Sequence, residues 1–141
     1  MTKIVVNGTF DILHRGHLQM LQFARHMGSE LLVCIDTDRR VTELKGASRP
    51  INNQADRSFM LHCLRCVDFV MLFDSQEELI SIIQEYKPDI MVKGSDYQGK
   101  SIVGEQYVPK VIFYDRIEEY SSTAIIQRIA CLLYTSPSPR D

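Results

Sequence analysis

The sequence contains no apolar run long enough to cross a bilayer and no excess of basic residues. A membrane-spanning helix needs about 20 consecutive apolar residues, so we expect no membrane partner. The formal net charge is −2, whereas a general nucleic-acid-binding domain usually carries a basic excess. A strand pattern follows Met1 almost directly, without the apolar segment of a signal peptide. We therefore expect a cytoplasmic protein with no nucleic-acid partner.

Cysteine is also scarce, with four residues at positions 34, 63, 66 and 131. In a reducing compartment we expect four thiols rather than disulfides. Cys63 and Cys66 form a C-x-x-C pair, but no second pair accompanies them and they stand late in a predicted helix. We interpret them as packed helix cysteines rather than a metal or redox site.

A regular alternation of two residue patterns is the main feature that is present. Five short apolar or β-branched runs predict strands, and the segments between them have helical spacing or turn signals. The predicted strands are Lys3–Val6, Leu31–Ile35, Phe69–Phe73, Ile90–Val92 and Val111–Tyr114. Such alternation predicts an α/β fold in which a five-stranded parallel sheet lies between helices on both faces.

The domain boundaries follow from composition. The 141 residues fit one domain, which we place at residues 1–133. Residues 134–141 are rich in proline and serine, so we expect a disordered tail, and a cloning or sequencing scar is one interpretation of its origin. Residues 36–53 are polar and are predicted as a long loop of functional interest, before a helix over residues 54–66.

The segment G-T-F-D-I-L-H-R-G-H, residues 8–17, joins the first strand to the first helix. Backbone N–H groups at a helix start attract phosphate, and Gly8 and Gly16 allow close backbone approach to a ligand. His14 and His17 can both donate hydrogen bonds to an α-phosphate as charge develops in a transition state. Capping or surface histidines, and half of a zinc site, are the alternative interpretations.

These ten residues resemble the G-x-F-D-x-x-H-x-G-H signature of the cytidylyltransferase-like nucleotidyltransferases. The resemblance covers about residues 3–133 and implies a Rossmann-like fold, a Mg²⁺–nucleotide substrate and a homodimer. It implies that His14 and His17 contact the triphosphate and act catalytically. It also implies that Thr9 and Phe10 line the nucleotide pocket, and that Asp11 orders the loop at the nucleotide site.

A second set of residues adds positive charge near the same sheet edge. Lys45-Gly46-Ala47-Ser48-Arg49-Pro50-Ile51-Asn52 precedes Arg57, and cations there can neutralise a triphosphate and an acceptor phosphate. A solvated charged loop is the alternative. The pattern is similar to the adenylyltransferase half of bacterial ADP-heptose synthesis enzymes, which implies that Lys45 is a second catalytic clamp and that Arg49 and Arg57 bind substrate.

A third set follows the fourth predicted strand and precedes the last helix. V-K-G-S-D-Y, with Lys93, Gly94 and Asp96, resembles the V-K-G-x-D-Y segment of the same enzymes and implies nucleotide contacts. An ordinary exit from a strand is the alternative. The hydroxyls of Ser121, Ser122 and Thr123 at a helix start can bind β- and γ-phosphate oxygens, or can simply cap the helix.

Two further positions near this helix bear on the resemblance. Arg116 stands where it could reach the same phosphates and is assigned to substrate binding. Ser121-Ser122-Thr123 is similar to the G-x-S-T-T or S-S-T element of the family. Glu119 departs from that element, because the family usually has glycine at this position. A carboxylate there could repel the triphosphate or change the backbone path.

Together these resemblances imply an enzyme that transfers AMP from ATP to a sugar 1-phosphate of the heptose type and releases pyrophosphate. Magnesium is expected as the ATP complex, with no metal bound by the chain itself, and a separate kinase would make the sugar 1-phosphate. One alternative is a cytidylyltransferase acting on glycerol 3-phosphate or ethanolamine phosphate. Another is a catalytically silent nucleotide-binding module.

Overall fold

The computed structural model describes residues 1–115 and 121–135 of the chain. Five strands form one sheet in the order β3-β2-β1-β4-β5, and every neighbouring pair is parallel. The strands are β1 (Lys3–Gly8), β2 (Glu30–Asp36), β3 (Phe69–Phe73), β4 (Ile90–Gly94) and β5 (Lys110–Tyr114). The predicted α/β fold with a five-stranded parallel sheet is confirmed, and the strand order is Rossmann-like.

Five α-helices accompany the sheet in the described residues. They are α1 (Arg15–His26), α2 (Asp38–Lys45), α3 (Gln54–His62), α4 (Gln76–Tyr86) and α5 (Ser122–Thr135). Polar side chains that accept a backbone N–H of the first turn start several of them. Ser75 caps α4 by accepting from Glu78 N at 3.1 Å, which satisfies one donor that the helix leaves unpaired.

The side chains of the sheet divide into two cores. On one face Ile4, Val6 and Val33 pack with Leu21 and Ala24 of α1 and with Leu61 of α3. On the other face Val5, Leu32 and Met91 pack with Leu79, Ile82 and Ile83 of α4. These two cores give the predicted three-layer sandwich.

The strand order also locates the ligand-binding edge. The chain passes from β1 outward to β2 and β3, and then returns to β4 on the other side of β1. Such a reversal opens a crevice at the carboxyl ends of the central strands, where ligands bind in open parallel sheets. The loops after β1 and β4 therefore flank the candidate site.

The prediction of one long loop over residues 36–53 is wrong, because α2 lies within it. Thr37 caps this helix by accepting from Arg40 N at 3.3 Å, and Val41 is buried against the core. Arg39 and Glu43 form an ion pair one turn apart, at 2.7 Å, which supports a short helix. The remaining loop is residues 46–53, in which the Arg49–Pro50 peptide is cis.

Two helices end at residues other than the predicted ones. Helix α3 ends at His62, so Cys63 is its exposed C-cap and Cys66 lies beyond it half-buried; the prediction that both pack within the helix is wrong. Helix α5 continues to Thr135, two residues past the predicted domain end. In the described part of the chain, every helix is too short or too polar to span a bilayer.

Candidate active site at the β1–α1 junction

The two histidines lie together at the start of α1, directly after the loop that leaves β1. His14 is the N-cap, and its Nδ1 accepts from His17 N at 3.4 Å. His17 Nδ1 in turn accepts from His14 N at 3.3 Å, and the two rings stack with centroids 3.8 Å apart. Because both Nδ1 atoms accept, each neutral ring carries its proton on Nε2 and is a donor there.

The Phe10 ring packs against the His17 ring from the core. The Phe10 side chain is only 4% exposed, and its ring lies 5.1 Å from the His17 ring between centroids. The Phe10 side chain thus belongs to the core next to His17, and its contact with the nucleotide stays a prediction. A Cβ on Gly8 would stand 3.0 Å from Phe10 Cε2, so glycine makes room for this ring.

Asp11 orders the neighbouring loop, as predicted. Its carboxylate is 3% exposed and accepts from Ile51 N at 2.7 Å and from Asn52 N at 2.8 Å. A buried carboxylate needs such donors to offset its lost hydration. The contacts join the β1–α1 loop to the loop that follows α2.

Arg57 has a different position from the predicted one. It is fully buried, and its guanidinium donates to the carbonyls of Asn52, Thr9 and Asp36 at 2.9 to 3.0 Å. It also pairs with Asp38 Oδ1 at 2.8 Å. The prediction of substrate binding by Arg57 is wrong, because the side chain is enclosed and holds three loops of the site in place.

The second predicted set meets the third across the site edge. Arg49 Nη2 donates to Thr123 Oγ1 at 3.4 Å, although the two residues are far apart in sequence. Lys45 is the exposed last residue of α2, and Gly46 follows it with a φ of 105°. The chain thus places Lys45 on the segment that leads to Arg49.

The start of α5 is tied to the β1–α1 loop. Ser122 Oγ donates to Ile12 O at 3.1 Å, and Ser121 Oγ accepts from Ala124 N at 3.0 Å. The capping interpretation of Ser121 is confirmed, and Ser122 bridges two elements. Gly16 lies in the first turn of α1, while Arg116 and Glu119 lie outside the described residues.

Lys93 lies near the end of β4, close to the centre of the sheet edge. It is 9% exposed, and its Nζ donates to Asn7 Oδ1 at 3.4 Å and lies 4.3 Å from the Tyr97 ring centroid. Burial lowers the pKa of the Lys93 ammonium, while the Asp36 and Asp96 carboxylates counteract that shift. Gly94 ends β4, and Asp96 lies in the 3-10 turn Ser95–Tyr97.

Asp36, Asn7 and Arg40 were missed by the sequence analysis. Asp36 is 7% exposed, and it accepts from Thr9 Oγ1 at 3.3 Å and from Arg40 Nε at 2.8 Å. The available signal was position, because Asn7 and Asp36 are polar residues that follow apolar runs at the ends of two predicted strands. Polar side chains at the carboxyl ends of parallel strands face the ligand crevice.

The arrangement concentrates hydrogen-bond donors at one point of the sheet edge. Two imidazoles, the N-terminus of α1 and the N-terminus of α5 converge on the β1–α1 loop. Helix N-termini carry partial positive charge and bind phosphate groups. Among residues 1–115 and 121–135, no cluster of three or more His, Cys, Asp or Glu side chains could form a metal cage.

Comparison with known proteins gives relatives of matching sequence and fold. Residues 5–128 match the family model described as Cytidylyltransferase-like. The chain is 48% identical over 128 residues to the Bifunctional protein HldE of Campylobacter fetus subsp. fetus (strain 82-40), covering 91% of this chain and 28% of that protein. It is 46% identical over 128 residues to the Bifunctional protein HldE of Helicobacter pylori (strain Shi470), covering 90% and 27%.

A solved structure supports the same relationship. The lipopolysaccharide core biosynthesis protein from Thermoplasma volcanium GSS1 superimposes with a TM-score of 0.66 at 28% identity, covering 82% of this chain and 99% of that one. The chain thus spans about a quarter of the length of the curated relatives it matches. With the family model covering most of the chain, the sequence belongs to the cytidylyltransferase-like family of nucleotidyltransferases.

Proposed function

We propose that this chain transfers AMP from Mg²⁺–ATP to a sugar 1-phosphate of the heptose type and releases pyrophosphate. The observation that carries the proposal is the stacked His14–His17 pair, whose Nδ1 atoms are both held by backbone N–H groups. The choice of ATP and a heptose phosphate is supported by the identity to the HldE proteins and by the lipopolysaccharide core biosynthesis neighbour.

The reaction needs little covalent chemistry from the protein. A phosphate oxygen of the acceptor is already a nucleophile, so it attacks the α-phosphate in line with the departing pyrophosphate. The Nε2–H groups of His14 and His17 donate to the α-phosphate oxygens, where negative charge grows in the transition state. Their tautomer is fixed before substrate arrives, which limits the reorganisation that the reaction requires.

Charge on the substrates is offset from the remaining sides. Lys45 provides a mobile cation from the end of α2, and Arg49 binds phosphate near Thr123. We propose that magnesium arrives with the triphosphate, where it would offset charge on the leaving pyrophosphate. Ser122 and Thr123 bind the outgoing phosphates at the start of α5.

Two partners belong to this proposal. The relatives are named bifunctional and are several times longer than the matched region, and we propose that a sugar kinase supplies the acceptor phosphate. We also propose a homodimer, which light scattering of the purified chain tests. Ile129, Leu132 and Leu133 of α5 are more than half exposed, an apolar surface of the kind that oligomers cover.

The test is pyrophosphate release with magnesium, pairing ATP or CTP with heptose 1-phosphate, glycerol 3-phosphate or ethanolamine phosphate. We expect release with ATP and the heptose phosphate. Release only with CTP and glycerol 3-phosphate or ethanolamine phosphate would overturn the assignment of ATP as donor and of the heptose phosphate as acceptor. The chain would still be a nucleotidyltransferase. ATP binding without release from any pair would instead support a silent nucleotide-binding module.

A further inference from the structure

Three polar side chains lie at the carboxyl ends of the three central strands, on the face of the sheet that packs against α4. Asn7, Asp36 and Lys93 each stand two residues after a core residue of that face. Those core residues are Val5, Cys34 and Met91. Because side chains alternate along a strand, the three polar residues share the α4 face. We call Asn7, Asp36 and Lys93 the strand-end cluster.

The strand-end cluster is held in a defined geometry. Lys93 Nζ lies 3.4 Å from Asn7 Oδ1, and Asp36 and Lys93 are 7% and 9% exposed. The sheet register pairs Asp36 with Phe73 and Lys93 with Phe113, so aromatic residues flank both sides. Polar groups fixed between apolar walls are typical of small-molecule sites.

The chemistry of the strand-end cluster favours neutral hydroxyl groups. An amide, a carboxylate and an ammonium together offer both donors and acceptors, and the Asp36 carboxylate is paired with Arg40 Nε at 2.8 Å. Sugar hydroxyls, which both donate and accept, suit all three side chains.

Two sugars could supply such hydroxyls, the acceptor sugar and the ribose of the nucleotide. The histidine pair and the start of α5 lie along the loop that leads to α1, whereas the strand-end cluster faces α4. In-line displacement places the nucleophile opposite the leaving pyrophosphate. With pyrophosphate held near α1 and α5, the acceptor approaches from the α4 side.

We infer that the strand-end cluster binds hydroxyl groups of the acceptor sugar and thereby selects a polyhydroxylated acceptor. This inference rests on the proposed function. It assigns Lys93 to the acceptor rather than to the nucleotide, and it gives Asn7 and Asp36 a role in specificity. Discrimination of this kind is strong because unpaired polar groups remain when a hydroxyl is missing.

The test measures binding of heptose 1-phosphate to the full chain by calorimetry in the presence of a non-hydrolysable ATP analogue, beside steady-state turnover. Lys93→Met and Asn7→Ala each remove one cluster group, and Lys100→Met, at an exposed site, is the control. We expect each cluster variant to weaken acceptor binding about tenfold, as for a lost hydrogen bond to a charged or buried group. Binding of the ATP analogue should change by less than about twofold, since the nucleotide lies elsewhere.

Each other outcome overturns a stated part. Unchanged acceptor binding in both variants of an active enzyme removes the strand-end cluster from acceptor recognition and leaves the proposed function intact. If a cluster variant binds ATP more weakly than the wild type but binds 2′-deoxy-ATP equally well, the cluster binds the ribose instead. A wild-type chain that does not bind heptose 1-phosphate overturns the proposed function together with this inference. If Lys93→Met does not fold, Asn7→Ala decides the result.

Discussion

At the scale of single residues, one pair of side chains serves two purposes. His14 and His17 cap α1 with their Nδ1 atoms, and the same contacts set the proton on each Nε2. Under the proposed function, the capping contacts are therefore the means by which the rings are prepared for chemistry. Capping and phosphate binding, which the sequence left as alternatives, are compatible in this geometry.

The first prediction separates these two roles at His17. In His17→Gln the side chain can still accept from the N-cap backbone, because Gln is a favoured residue at N3 of a capping box. We expect thermal stability near that of the wild type and a loss of about two orders of magnitude in turnover. Turnover and melting temperature measure the two effects.

His62→Gln is the matched control, since His62 is exposed in the last turn of α3. It should leave turnover unchanged. Near-normal turnover in His17→Gln would remove the His17 imidazole from the reaction.

The second prediction concerns Arg57, which acts on stability. Arg57→Met leaves three backbone carbonyls and the Asp38 carboxylate without their buried donor. A buried carbonyl left without its donor costs about 1–3 kcal/mol, and the half-exposed Asp38 carboxylate adds little because water can solvate it, so urea denaturation should show a loss of a few kcal/mol. Arg65→Met, at an exposed site, should change the free energy of unfolding by less than about 0.5 kcal/mol. A small effect for Arg57→Met would contradict the enclosed position of its guanidinium.

At the scale of elements, helix termini assemble the site. The start of α1 carries the histidines, the start of α5 reaches the β1–α1 loop through Ser122, and the end of α2 carries Lys45. Asp11 and Arg57 bind the connecting loops to one another. The geometry of the site therefore depends on where three helices begin or end.

The third prediction tests the end of α2. Gly46 has φ 105° and ψ 171°, and an added Cβ would meet no atom within 4 Å. The backbone region itself excludes other residues, so Gly46→Ala should cost about 1–3 kcal/mol by strain alone. Relief of that strain would displace Lys45 and lower turnover. Turnover and the melting temperature are measured on the same variant. Gly99→Ala, another open position with positive φ, should lower stability without lowering turnover; equal losses of turnover would contradict a role for the α2 end.

At the scale of the whole molecule, helices on both faces of the sheet cover its central strands. Val33, Cys34 and Ile35 of β2 are all unexposed, as expected for parallel strands covered on both faces. Burial raises the pKa of the Cys34 thiol to about 12. Since the thiolate is the reactive form, Cys34 should be inert until the domain unfolds.

The fourth prediction uses that inertness as a measure of global unfolding. At pH 8 a disulfide reagent should label the exposed Cys63 rapidly and leave Cys34 unlabelled. Labelling of Cys34 should follow the denaturant unfolding curve of the domain, because access to its thiol requires the α4 layer to separate from the sheet. Peptide mass spectrometry identifies the labelled cysteine. Rapid labelling of Cys34 in native conditions would contradict the closed three-layer arrangement.

Local patterns in the sequence determined the class of fold and the position of the site. The five apolar runs predicted all five strands, and in the central strands β1, β2 and β4 such a run reflects burial on both faces of the sheet. The G-T-F-D-I-L-H-R-G-H segment located both histidines at a helix start. These features are encoded by neighbouring residues, so periodicity and turn chemistry suffice to find them.

Only the tertiary structure decided which polar residues are enclosed and which face the crevice. Arg57 resembled an exposed cation in the sequence, yet it is fully buried because carbonyls from distant loops surround it. The helix within residues 36–53 was missed because the Thr37 cap and the burial of Val41 were not recognised in the sequence. Asn7, Asp36 and Lys93 become one group only when the sheet order brings three strand ends together, and that order is a property of the assembled fold.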